Sequence, residues 1–178
     1  MATAKIVGLD ETVRALRQFD PDALKEMNKT IYAAMKIAQI DARKLAPEAS
    51  PLSGWARPVK AGKWDRLTFR PRPVKTGIRT KIDRARKRGN WTSKAYLLIN
   101  ADAAGAIYEV AGRKKPLDEN SNSARFINAI EGQSKVTVRG KQGRIAYKAV
   151  EDNRPEIVAK SNAAIAKAEA AVNRKMAK

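Results

Sequence analysis

Seven apolar residues spaced three or four apart and bracketed by prolines constrain this chain more than any other feature of its sequence. Leu24, Met27, Ile31, Met35, Ala38, Ala42 and Leu45 form a stripe that a 3.6-residue period lays along one helix face. Ahead of it, Asp20-Pro21 supplies an acceptor side chain and then a proline at the first helical position, where a missing N–H costs no bond. Pro47 stops the run. The spacing predicts a helix from Pro21 to about Ala46, roughly 37 Å long at about 1.5 Å per residue. A helix with one apolar face has to lie across something, and the remaining sequence has to provide it.

A second long helix is expected at the C-terminus. Asp152, Asn153 and Pro155 form its start, and Val158, Ile165, Ala168, Val172 and Met176 its stripe, to about Lys175. Ala4 to Leu9 reads as a short extended lead, after which Asp10 caps a short helix carrying Val13, Leu16 and Phe19. Ser123 caps another through Ile130, closed by Gly132. Two β-rich runs, 76–82 and 94–100, flank the basic stretch DRARKRGNW, read as a turn, and predict an antiparallel pair with a long tip. A second hairpin is expected from the alternation of 135–139, the turn 140–143 and the return 144–148. Residues 100–105 read as a turn leading into the apolar segment 106–111.

These elements assemble into an α+β fold, a single domain over 1–178, with the long N-terminal helix and the C-terminal helix packed on a small antiparallel sheet. Prolines at 47, 51, 58, 71 and 73 interrupt regular structure, so residues 48–75 are expected to form an irregular, extended basic arm, followed by the strand–turn–strand of 76–100. Alanine supplies much of the 43% hydrophobic content and only 6% of residues are aromatic, which predicts a thin core.

The chain carries 37 Lys and Arg against 18 Asp and Glu, a formal charge of +19. Such a surplus calls for an acidic partner or makes a very soluble subunit. Fourteen of the cations lie between Arg57 and Lys94, against Asp65 and Asp83 alone, so this segment holds +12 of the total. Trp64, Phe69 and Trp91 are interleaved with them, a combination suited to phosphate-rich or single-stranded surfaces. No helix-turn-helix, RNA-recognition or zinc-finger pattern accompanies it, and a basic arm docking on an acidic protein face has the same composition.

Enzymatic chemistry has few residues to use. The absence of Cys and His removes thiolate nucleophiles, the commonest general base near neutral pH and the commonest zinc ligands. No cofactor or metal is expected, and no phosphate loop or nucleophile elbow is present. Glu109, flanked by apolar residues in IYEVAG, is the one carboxylate placed for a raised pKa, though an acid in such surroundings more often pairs with an arginine. The N-terminal segment lacks the apolar core of a signal peptide and no run reaches the roughly 20 apolar residues of a membrane span, so a soluble, intracellular protein is expected at synthesis.

Three motifs in order resemble a known family. Ile6, Gly8, Leu9 and Asp10 open the chain; Ala46, Pro47, Leu52, Ser53 and Gly54 follow the long helix; Ile107, Tyr108, Glu109, Val110 and Gly112 follow the strands. This order is similar to that of the siphophage minor tail or tail-completion proteins, the head–tail joining proteins of the phage neck. Pro51, the length of the basic stretch and the segment SARFINAIEG depart from the family's pattern.

The resemblance implies a non-enzymatic α+β subunit of a ring, often of six, between the capsid connector and the tail tube. It would be made in the host cytoplasm and carried in the virion, with its basic arm contacting adjacent subunits, other neck and tail proteins or the packaged DNA passing through, and with no membrane partner. Trp55, Trp64, Arg70, Arg72 and Trp91 are the expected interface residues. The rival expectation is a basic nucleic-acid-binding protein using the same arm, and a more distant one is a hydrolase built on Glu109.

Overall fold

The structure, a computed structural model, describes residues 20–57, 67–83, 86–88, 91–93, 95–113, 118–134 and 143–176. The expected lead at 4–9 and helix at 10–19, Trp64, and the strand at 135–139 with residues 140–142 of its turn lie outside these residues.

Helix α1 runs Pro21–Leu45, ending one residue before the expected Ala46. Asp20 caps it by accepting from the Ala23 amide at 3.1 Å, and Pro21 takes the first helical position as anticipated. Met27, Ile31, Ala34, Met35, Ala38 and Ala42 are its buried face, each Ile or Met contributing about 1.5–3 kcal/mol by leaving water. Leu45 departs from the stripe: it ends the helix and is exposed.

Opposite α1 lies helix α6, Arg154–Met176, whose Ile157, Ala164, Ala168 and Val172 are buried. Alanine on both sides lets the two backbones approach closely along their length. Lys175, in the last turn of α6, reaches Asp20 at 2.9 Å and fastens the end of one long helix to the start of the other.

Strands β1 (Ile78–Ile82) and β4 (Tyr96–Asn100) form the expected antiparallel pair, with Thr80 opposite Leu98. The sheet lies against α1, with Ile78, Thr80, Tyr96 and Leu98 buried and Arg79 and Lys81 exposed. Gln39 spans the outer edge of β1. Its Nε2 donates to the Ile78 carbonyl at 3.2 Å and its Oε1 accepts from the Thr80 amide at 3.2 Å and hydroxyl at 2.9 Å. Arg43 donates twice more to the Ile78 carbonyl. Side chains from α1 thus occupy backbone groups that a further strand would otherwise use.

Several expectations need correction. The stretch between the strands is not simply a turn: Arg86–Arg88 (β2) and Trp91–Ser93 (β3) pair antiparallel as a second two-stranded sheet. Within the supposed irregular arm, Ser53–Ala56 is a 3₁₀ turn and Pro71–Gly77 is helix α2, so β1 starts at 78 rather than 76. Pro71 and Pro73 are compatible with a helix because both fall in its first turn, where amides have no intrahelical acceptor.

Residues 103–110, whose start was read as a turn, are helix α3, Ala103–Val110, capped by Asp102 accepting from the Gly105 amide at 2.8 Å. Helix α4 spans Asn122–Gln133 and is capped by Ser121 rather than Ser123; it continues through Gly132. The expected return strand 144–148 is instead the entry to helix α5, Ala146–Asp152.

The architecture is α+β, as the sequence implied, with the long N-terminal and C-terminal helices and a small antiparallel sheet. Buried residues from all six of these helices and from β1 and β4 join one cluster. Among the described residues no helix is long and apolar enough to cross a membrane.

Candidate functional site

Two of the three family-like motifs contribute residues to the same buried cluster. Leu52 and Trp55 come from the segment after α1, Tyr108 and Glu109 from α3. Trp55 is half-buried, its ring centroid 5.1 Å from those of both Phe69 and Phe126, and its Nε1 donates to the Leu67 carbonyl at 2.5 Å. Phe69 continues the chain of rings to Tyr108 at 6.1 Å, and the Arg144 guanidinium lies 5.4 Å from the centre of that ring. Tilted and edge-on pairs of this kind contribute roughly 0.5–1.5 kcal/mol each beyond the area they bury.

At the end of this row two helices cap each other. Glu109, in the last turn of α3, accepts from the amides of Ile145 at 2.6 Å, Ala146 at 3.1 Å and Tyr147 at 2.9 Å, the unpaired donors that open α5. Arg144, just before α5, answers at the other end. Its Nη1 donates to the carbonyls of Tyr108 at 2.8 Å and Ala111 at 2.5 Å, which close α3. Gly143 is required beside them, because a Cβ there would collide with the Glu109 carboxylate.

Arg144 is only 1% exposed. Burial draws its pKa below the usual arginine value, against which Tyr108, Glu131 and Glu109 act, and guanidinium remains charged at any ordinary pH. Its Nη2 stands 3.8 Å from Glu131 Oε1, too far for a hydrogen bond, and neither Nη2 nor Nε has a hydrogen-bond partner. The expected arginine beside Glu109 is therefore present, but the carboxylate binds backbone amides first. Glu109 is engaged as a helix cap, which leaves little of it for proton transfer to a substrate. Among the described residues no three carboxylates gather where a metal ion would bind.

The other expected interface residues belong to different elements. Arg70 holds the N-cap position of α2 and Arg72 lies in its first turn; both are exposed, next to Phe69, whose amide donates to the Trp55 carbonyl at 2.9 Å. Trp91 belongs to a different element, β3, where it stands in register with Arg88. Trp55, Arg70 and Arg72 are thus brought to one region and Trp91 to another.

Arg144, Gln39 and Arg43 were not singled out from the sequence. A Gly-Arg-Ile sequence in an alternating stretch looks like a strand, and Gln39 sits one residue off an apolar stripe, where a polar residue normally faces water. No family model, curated protein or solved structure matches this chain.

Proposed function

We propose that this protein is a structural subunit of a tailed-phage neck, a tail-completion or head–tail joining protein that forms a ring between the capsid connector and the tail tube. The observation that carries the reading is the use of Glu109. The glutamate of the IYEVAG motif, the best-placed acid for catalysis, caps α5 through three backbone amides, and Tyr108 beside it belongs to the aromatic row from Trp55. Motif residues with packing and capping roles are what a family defined by assembly rather than chemistry requires.

In a ring, each subunit offers one surface to a different surface of its neighbour. The exposed Arg70 and Arg72, on the short helix that follows the proline-rich segment, form one such surface, suited to an acidic face of an adjacent subunit or ring. At +19 per chain, like-charge repulsion opposes ring closure at low salt and screening relieves it.

Light scattering at low and high salt tests the reading. A discrete ring-sized species, appearing alone or on addition of a neck partner, is expected. A protein that remains monomeric at every salt and with every neck partner overturns it.

A further inference from the structure

We propose that the β2–β3 ribbon is a contact site for duplex nucleic acid, reading the phosphate backbone rather than sequence. The inference stands apart from the ring assembly, and each can fail without the other.

The strands β2 and β3 pack chiefly on each other, as a two-stranded sheet of their own. The β1–β4 pair, which brackets the ribbon in the chain, is firmly held. Gln39 and Arg43 tie β1 to α1, and the Tyr96 hydroxyl donates to Asn28 Oδ1 at 2.6 Å, tying β4 to the same helix. The ladder carries on past β1, where the Asp83 amide donates to the Ala95 carbonyl at 2.8 Å.

Arg84, Arg86, Lys87 and Arg88 fall within five positions, the densest cluster of cations in the sequence. Residues 84–101 hold Arg84, Arg86, Lys87, Arg88 and Lys94 with no carboxylate among them. Nearer the core, the exposed Arg79 and Lys81 of β1 extend the same sign. Elsewhere cations are commonly matched, as in Lys148 with Asp152 and Lys160 with Glu156.

Shape favours a duplex over an acidic protein. Two strands about 4.8 Å apart make a ribbon narrow enough for a major groove about 12 Å wide, which admits a two-stranded β-ribbon. An uninterrupted run of one sign suits a regular array of phosphates, whereas protein faces usually interleave charges.

The test is the salt dependence of binding of the full chain to a short DNA duplex, followed by anisotropy, with light scattering on the same samples. Wild type should bind at low salt and weaken steeply as salt rises. In R86Q/K87Q/R88Q the slope of log K against log salt should shrink by about 2.7, equivalent to about 40-fold less affinity lost between roughly 50 and 200 mM salt. R86K/R88K, which keeps the charge, should retain the wild-type slope. K25Q/K29Q/K36Q, on the exposed side of α1, should change it far less.

An absence of salt-sensitive duplex binding overturns the proposal. So does a triple ribbon variant with the wild-type slope, or an α1 variant with as large a loss. Competition by poly-glutamate as effective as by duplex, at equal charge, overturns it in favour of an acidic protein.

Discussion

The Glu109 carboxylate lies 2.6 Å from the amide of Ile145, 36 residues further along the chain. With Arg144 returning hydrogen bonds to the Tyr108 and Ala111 carbonyls, the contact locks the end of α3 to the start of α5. Removing the acceptor strands three amides at once. Glu109→Ala should cost about 2–3 kcal/mol, read from the urea midpoint, while Glu109→Gln, which keeps one oxygen, should lose less. A Glu109→Ala chain as stable as wild type would remove the capping role.

Arg144 makes the reverse half of the same joint. Its replacement by Met fills the volume but leaves two helix-terminal carbonyls and Glu131 without the guanidinium. A loss of about 3–5 kcal/mol is expected. The same denaturation series checks it, and an effect under about 1 kcal/mol would show that the buried charge is not needed for stability.

Trp55 and the Arg70–Arg72 pair should separate folding from assembly. Trp55→Ala opens the row shared with Phe69 and Phe126 and should destabilise the monomer by about 3 kcal/mol. Arg70→Glu with Arg72→Glu should leave the unfolding midpoint far less affected and abolish the ring-sized species in light scattering. Normal assembly by the double variant would dismiss α2 as the contact.

Burial pushes the Tyr96 hydroxyl up to about 12. A tyrosine in the unfolded chain loses its proton near pH 10, so from about pH 10 to 12 the unfolded state holds fewer protons and stability falls as pH rises. Below about 10 the contribution is intact. Tyr96→Phe should be less stable at neutral pH by about 1 kcal/mol, for the lost bond to Asn28, and should show a shallower alkaline decline. Parallel pH profiles for the two proteins would contradict this.

At the acid end, Asp20 is held below the usual carboxylate range, first by its hydrogen bond from Lys175 and then by the Ala23 amide. Its pKa is depressed on folding, so the stabilisation is present above the unfolded value and is lost as pH falls below it. Lys175→Met should therefore be less stable than wild type at neutral pH, with the gap narrowing once Asp20 is protonated. A gap that persists unchanged into acid would mean that Lys175 acts through packing.

Features decided within a few residues were legible in the sequence: Asp20-Pro21 opening α1, the apolar stripe to Ala42, the 76–100 strand pairing and the long C-terminal helix. The helical features rest on periodicity or on a side chain reaching its own backbone; the strand pairing was readable because two β-rich runs flank one polar, basic connection. The α+β class followed from those elements. Gly-Arg-Ile-Ala-Tyr at 143–147 illustrates the limit: its alternation reads as a strand, and it becomes the entry to α5 because Glu109 supplies the acceptors its first amides lack. The same holds for Pro71–Gly77, where a helix of only seven residues is marginal alone and depends on burying Val74. Sequence by itself therefore determined the charge, the two long helices and the hairpin. Tertiary structure alone decided that Glu109 is a cap, that Gln39 covers a strand edge and that Trp55 stacks inward, because each depends on a distant side-chain or backbone partner that no repeating pattern in the sequence marks.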